Sequence, residues 1–207
     1  MAKYNVIVCD PPWDFGDKLR SMKSPTKRSA ISQYSTLTST EVAALDVNSI
    51  VDKSGCVLAL WVPSTLLDDG LNVLRSWGFT YKQMVVWVKT KKGAIDKIQS
   101  GDINDLNDTT SFGMGRLFRQ CHEIALIGTT GKVYSSLENK SQRSVLFDLN
   151  ARHSQKPELL QDRLELMFPK ANKLEIFGRR PRKNWTVIGD GVTEKDVTIS
   201  LQELVVL

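Results

Sequence analysis

Asp10-Pro11-Pro12-Trp13 brings four chemically useful residues together in the chain. The carboxylate accepts hydrogen bonds. The prolines fix φ and remove two backbone donors while leaving their carbonyls as acceptors, and the tryptophan offers a broad stacking face. This set suits alkylation of an aromatic amine such as that of adenine, whose lone pair is delocalised into the ring and poorly nucleophilic. A carboxylate and a carbonyl that each accept one amino hydrogen turn the nitrogen towards sp3 and aim its lone pair at the incoming carbon. Acceptors positioned in advance where positive charge develops supply the electrostatic part. Asp10 and the Pro11 carbonyl fit the acceptor roles, Pro12 the rigid frame, and Trp13 the surface against which a base stacks. Two plainer readings compete. An Asp-Pro after a strand is often an ordinary turn, and a hydrophobic strand ending in Asp also suits the metal-binding part of a phosphate-binding ATPase. The ATPase needs a Gly-x-x-x-x-Gly-Lys-Ser/Thr loop. Gly128-Thr129-Thr130-Gly131-Lys132-Val133 is too short and lacks the hydroxyl, so that reading is rejected.

The elements that must position this loop are legible as apolar runs. Tyr4 to Cys9, Gly55 to Val62, Gln83 to Lys89, Glu123 to Gly128, Val145 to Leu149, Leu174 to Phe177 and Trp185 to Ile188 have the length and composition of strands buried on both faces. Helical patterns fall between some of them. Thr38-Ser39-Thr40-Glu41 is a capping box. Ser64 to Trp77 carries Leu67, Leu71 and Leu74 at helical spacing, with Gly78 as its C-terminal cap. Pro157 to Phe168 has Leu160, Leu164, Met167 and Phe168 on one side. The alternation predicts an α/β fold with a mostly parallel sheet. Gln83 to Lys89 and Glu123 to Gly128 have no helical pattern between them, which predicts an antiparallel hairpin at a sheet edge. In open α/β sheets ligands bind beyond the carboxyl ends of strands, where the Asp10 loop falls.

The chain of 207 residues reads as one domain spanning 1–207, large enough for a core without disulfides or metals. Within it, 14–36 is a basic loop beside the site, 91–119 a long polar insertion with the properties of a lid, and 192–207 a C-terminal extension. Cys9, Cys56 and Cys121 read as reduced thiols in or beside the core. Cys121-His122 and His153 lack the paired spacing of a zinc site, so no metal is expected. No apolar run reaches the roughly 20 residues that span a bilayer, and Met1 to Tyr4 lead straight into a strand without a signal peptide. A cytoplasmic protein is expected, in a prokaryotic or viral host cell. The formal net charge of +5 suits a polyanionic partner. Lys18, Arg20, Lys23, Lys27 and Arg28 crowd the first loop, Arg116 and Arg119 close the insertion, and Arg179, Arg180, Arg182 and Lys183 follow the late strand. Near strand ends, such charges hold phosphates without reading sequence; a solvated loop is the plain alternative. Gly113-Met114-Gly115 could hinge a lid or belong to an ordinary surface loop.

An ordered set of motifs runs through the chain. Asp10-Pro11-Pro12-Trp13 is followed by Tyr34-Ser35-Thr36-Leu37 before Glu41, then Leu60-Trp61-Val62, Trp77-Gly78-Phe79 and Val86-Trp87-Val88-Lys89-Thr90. His122-Glu123, Ser154-Gln155-Lys156-Pro157, Glu175-Ile176-Phe177-Gly178-Arg179 and Asn184-Trp185 complete it. In this order the chain resembles the MT-A-seventy-like family of adenine-N6 methyltransferases. The resemblance implies a Rossmann-like, S-adenosylmethionine-dependent methyltransferase fold in permuted order, with the catalytic strand early and the cofactor strand late. It implies methyl transfer to the exocyclic N6 of adenine in nucleic acid. The absence of an appended recognition domain favours DNA over RNA, and a homodimer is an open option. Asp10, Pro11, Pro12 and Trp13 would form the catalytic loop, with Tyr34 on the substrate side. Lys156, at the start of its helix, would reach the cofactor carboxylate. Phe177, Gly178, Arg179, Asn184 and Asp190 would line the rest of the cofactor site. From the residues alone Lys156 is a solvated lysine and Phe177-Gly178 a plain strand end. Two departures from the family pattern stand out. Asp190-Gly191 replaces an Asn-Gln pair for the cofactor sugar, and only nine residues precede Asp10 where an upstream segment helps hold the cofactor's adenine; Asp148 is a candidate to lie near that space. The rival reading is a catalytically silent relative that binds nucleic acid or a partner. Intact Asp10, Trp13 and Lys156 speak against it. Methylation of a small molecule is disfavoured by the basic loops.

Overall fold

The computed structural model describes residues 3–14, 36–102, 105–113, 117–149, 155–190, 192–193 and 195–206. Their strands are β1 (Val6–Cys9), β2 (Gly55–Val62), β3 (Thr80–Thr90), β4 (His122–Gly131), β5 (Val145–Leu149), β6 (Lys173–Ile176) and β7 (Trp185–Ile188). They form one sheet in the order β5-β3-β4-β2-β1-β6-β7. All neighbouring pairs are parallel except those of β4, which runs antiparallel to both β2 and β3. The β3–β4 hairpin therefore forms, but it lies inside the sheet: β5 pairs parallel to the outer side of β3 and becomes the edge. Short apolar runs fix strand existence, whereas lateral order depends on long-range pairing that no run encodes.

Period-two alternation divides the core between the two faces of the sheet. Ile7, Cys9, Leu58, Leu60 and Val62 share one face with residues of α1 (Ser39–Ala43), α2 (Leu67–Ser76) and α5 (Val197–Val206). Val6, Val8, Val57, Ala59 and Trp61 face Leu160 and Leu164 of α4 (Leu159–Met167). The cysteines are free, Cys9 and Cys56 buried and Cys121 half-buried. Among the described residues no helix is long and apolar enough to cross a membrane. The C-terminal extension contributes α5, whose Leu201 and Leu204 enter the first core. The 91–119 insertion contains a helix that its sequence pattern does not reveal. α3 (Ala94–Ser100) is bracketed by Gly93 and Gly101 at φ 74° and 73°. It buries Ala94 and leaves Ile95 and Ile98 exposed, so it has no apolar stripe to read.

Candidate active site

Strand β1 delivers Asp10 to the carboxyl end of the sheet, where its backbone N–H donates to the carbonyl of Ile176 at the end of β6 (3.3 Å). The next residues are held from the other side. Leu37 donates to the Pro12 carbonyl (2.8 Å) and accepts from Asp14 N–H (2.8 Å), an isolated parallel bridge beside the turn. Leu37 itself is fixed because it precedes the capping box, in which Thr38 Oγ1 accepts from Glu41 N–H and Glu41 accepts from Thr38 N–H. A short helix whose first turn is satisfied in this way docks the loop against the sheet. The Pro11 carbonyl accepts from Trp13 N–H (2.9 Å) and keeps a second lone pair.

The Asp10 carboxylate meets a cation on a different element. Lys156 Nζ lies 2.9 Å from Oδ1 and 3.0 Å from Oδ2, and 3.2 Å from Glu123 Oε2 on β4. Glu123 also pairs with Lys89 of β3 at 2.6 Å. The result is an alternating row, Lys89–Glu123–Lys156–Asp10, laid over aromatic rings. Lys156 Nζ stands 5.9 Å from the centre of Trp61, Lys89 Nζ stands 5.2 Å from that of Trp87, and the two rings meet edge to face at 6.4 Å. Burial pushes the Asp10 carboxyl above the ordinary carboxylate range, and Lys156 reverses only part of the rise. Burial acts on Glu123 in the same sense, but there Lys156 and Lys89 prevail and hold it below the ordinary range. For Lys156, burial favours the neutral amine; the two carboxylates outweigh it and raise its pKa.

Two cavities meet at Asp10, Phe177 and Arg179. The first, about 270 Å³, runs along α4 and is lined by Trp61, Lys156, Gln161 and Glu175 among others. The second, about 360 Å³, runs towards the C-terminal helix and is lined by Pro12, Leu37, Leu45, Asp190, Asp196 and Val197 among others. The wall between them is made by the turns after β6 and β7. Phe177 sits at φ 65°, a left-handed conformation that is strained for a bulky residue. Gly178 N–H donates to the Ile188 carbonyl (3.0 Å). A Cβ on Gly178 would meet Val187 Cγ1 at 2.3 Å, and one on Gly189 would meet the Gly178 carbonyl oxygen at 2.5 Å. Glycine is required here because the two turns pass backbone against backbone.

The structure brings Asp10, Lys156, Phe177, Gly178, Arg179 and Asp190 to this end of the sheet, with Pro11 and Pro12 in the loop that frames it. It corrects four readings. The Trp13 ring is not an open stacking face: it is 5% exposed, packs in the core, and donates Nε1–H to the Trp61 carbonyl (2.9 Å). A large aromatic directly after a buried strand gains more from core burial than from solvent exposure. Asn184 lies at the start of β7, the opposite end of that strand from Asp190, and is exposed. Its φ of 65° identifies a turn residue, a conformation that asparagine tolerates. Lys156 stands in the loop before α4 rather than on the helix, engaged with Asp10 and Glu123. Asp148 belongs to edge strand β5, at the other side of the sheet from Asp190 on β7.

Arg119 is exposed, 5.9 Å from the centre of the Phe112 ring, and lines neither cavity. Lys18, Arg20, Lys23, Lys27, Arg28, Tyr34, Arg116 and the Met114-Gly115 part of the hinge lie outside the described residues. Arg180 and Arg182 form ion pairs with α4, to Glu158 for both and to Asp162 and Glu165 for Arg182. Glu123, Lys89, Glu175 and Gln161 are site residues that the motif reading did not assign. Their signal was available: each is a charged or amide side chain at a position that the pattern buries, and such a group needs a partner. Among the described residues no group of three or more His, Cys, Asp or Glu could hold a metal ion.

The sequence model of the family described as MT-A70 matches residues 4–191. A type II methyltransferase, M.MunI of Mycoplasma sp, is 29% identical over 213 residues, covering 97% of this chain and 82% of that protein. The human N(6)-adenosine-methyltransferase catalytic subunit METTL3 is 25% identical over 193 residues, 92% of this chain and 28% of its own length. The MT-A70-like N(6)-adenosine-methyltransferase of Drosophila melanogaster is 26% identical over 208 residues, 98% of this chain and 29% of its own. The chain thus spans less than a third of these two eukaryotic relatives. With its mostly parallel α/β sheet, an Asp-Pro-Pro-Trp loop at the carboxyl end of β1 and a family match over residues 4–191, the chain belongs to the MT-A70 family of adenine-N6 methyltransferases.

Proposed function

We propose that this chain transfers the methyl group of S-adenosylmethionine to the exocyclic N6 of adenine in nucleic acid, DNA in preference to RNA. The observation that carries the reading is the Asp10 carboxylate, set at the junction of two cavities and backed by Lys156. The residues present fit the cofactor. Lys156 suits its carboxylate, and Asp190 at the end of β7 suits its ribose hydroxyls. When bound, S-adenosylmethionine supplies a methyl group activated by a sulfonium.

The chain's own residues do the rest. Asp10 and the free lone pair of the Pro11 carbonyl accept the two amino hydrogens of the adenine and turn the nitrogen's lone pair outwards. Lys156 opposes the burial that raises the Asp10 carboxyl's pKa, and so favours its charged, hydrogen-bond-accepting form. Accepting from the amine requires Lys156 to yield part of its contact with both Asp10 oxygens, and Glu123 gives the ammonium a second anchor as it does so. Trp13 holds the loop through its buried Nε1–H bond. The preference for DNA draws support from the type II relative, 82% of which this chain covers.

Incubation with labelled S-adenosylmethionine and single- and double-stranded DNA and RNA, followed by nucleoside analysis, tests the proposal. N6-methyladenine formed fastest on DNA is expected. Fastest transfer to RNA overturns the substrate preference, and no methyladenine on any substrate overturns the enzyme reading in favour of a silent binding protein.

A further inference from the structure

The 91–119 insertion returns to the sheet at its carboxyl end, on the side of the site. Ser111 N–H donates to the Lys89 carbonyl (2.7 Å), Lys89 N–H donates to the Cys121 carbonyl (2.9 Å), and Gly113 N–H donates to the Gln120 carbonyl (2.9 Å). Gln120 Nε2 donates to Ser64 Oγ just beyond the end of β2 (2.7 Å). The two segments meet β3 and β4 at Lys89 and Glu123, members of the charged row that ends at Asp10. Phe118 stands five residues before Glu123, no more than about 18 Å of extended chain.

The side chains on this anchored base are unlike those of a solvated loop. Phe112 is 62% exposed, Leu117 94% and Phe118 89%, so each forfeits the burial it would gain in a core. Arg119 brings its guanidinium to 5.9 Å from the centre of the Phe112 ring, which sets a cation among the rings. Aromatic faces interleaved with positive charge suit unstacked bases and the phosphates between them. A protein partner fits less well. At about 200 Å² for a whole large apolar side chain, the three residues offer about 500 Å², against the roughly 800 Å² that each side of a standard protein interface buries. A base drawn out of its stack for methylation leaves its neighbours uncovered, at a cost of a few kcal/mol. A ring laid against such a neighbour offsets part of that cost.

We infer that Phe112 and Phe118 stack on the nucleobases that flank the target adenine, while Arg119 meets the phosphate beside them. The inference rests on the nucleic-acid reading above and adds to it a contact surface that lines neither cavity.

Fluorescence anisotropy on the full chain tests it with two single-stranded DNA probes of equal length and charge. One is deoxyadenosine throughout. The other keeps one central adenine and is abasic elsewhere. Phe112→Ala and Phe118→Ala are each expected to weaken the first probe about fivefold or more, the scale of one base–aromatic stack, and to change the second less than twofold. Both side chains are exposed, so neither substitution empties the core. Arg119→Gln is expected to weaken both probes and to lower the salt-dependence slope by about 0.7, the share of one phosphate on a single strand. Equal weakening of both probes by the phenylalanine variants, or of neither, overturns the stacking inference and leaves the nucleic-acid reading intact. A dimer of the unmodified chain that Phe118→Ala dissociates in sedimentation assigns the rings to a protein interface and overturns it as well. If the unmodified chain binds neither probe, the nucleic-acid reading fails and takes the inference with it.

Discussion

Replacing Lys156 by methionine removes the ammonium shared by Asp10 and Glu123 while keeping most of the side chain's volume. Glu123 retains Lys89 at 2.6 Å, so the uncompensated charge falls on Asp10. Loss of the charged partner from a buried group costs about 1.5–3 kcal/mol. The side chains of Asp10 and Glu123 keep 24% and 25% of their exposure, which places the loss in the lower part of that range, about 2 kcal/mol. For a chain of this size that lowers Tm by about 4–8 °C. The loss must depend on pH, with a defined sign. The folded Asp10 carboxyl already has a pKa above its unfolded value, and without Lys156 it rises further. Between those values the folded state holds a proton that the unfolded state has released, so stability falls as pH rises. The deficit of Lys156→Met is therefore wider at pH 8 than at pH 5, because falling pH protonates Asp10 and leaves progressively less charge unpaired. Thermal unfolding of both proteins at the two pH values measures it. A deficit equal at both, or larger at pH 5, would refute the assignment of Lys156 as the counter-charge of Asp10.

Trp13→Phe removes the Nε1–H bond to the Trp61 carbonyl together with part of the buried ring and is expected to cost about 1–3 kcal/mol, whereas Trp13→Ala empties a core position and costs about 3–5 kcal/mol by chemical denaturation. If both are neutral, the ring is not a structural wedge. Gly178→Ala forces a Cβ to 2.3 Å from Val187 Cγ1 and should destabilise by about 1–3 kcal/mol, with a matching fall in Tm. Leu201→Ala should cost about 2–5 kcal/mol, because α5 is part of the core rather than an appendage; an unchanged unfolding midpoint would detach that helix from the fold. Thr38→Ala removes the cap that fixes Leu37 against the Asp10 loop and should cost about 1 kcal/mol in an equilibrium unfolding titration.

Most of the scaffold was legible because buried parallel strands are written as continuous apolar runs. Gly55–Val62 and Trp185–Ile188 coincide with β2 and β7. Val145–Leu149 coincides with β5, but as an edge strand it buries Leu146 and leaves Val145, Phe147 and Leu149 exposed, where its apolar run reads as burial on both faces. The capping box at Thr38 is likewise local, since both of its bonds close within three residues. What escaped was non-local. The position of the hairpin inside the sheet depends on where β5 pairs, and α3 is a helix stabilised by its glycine ends rather than by an apolar stripe. In the site, residue types announced the chemistry but not the direction in which side chains point. Trp13 has the residue type of a stacking face and is a core residue, while Asn184 has that of a cofactor contact and makes a turn. The Lys89–Glu123–Lys156–Asp10 row draws on β3, β4, the loop before α4 and the end of β1, and only the folded sheet makes neighbours of them.

In the proposed reaction the Asp10 carboxylate orients the adenine amine for transfer. A single-turnover comparison of Asp10→Ala with the unmodified chain, on one adenine-containing DNA and with N6-methyladenine quantified over time, tests it most directly. Product formation in the variant is expected to be at least a hundredfold slower, the scale on which a preorganised electrostatic contact acts. Methylation by Asp10→Ala at an undiminished rate would contradict it.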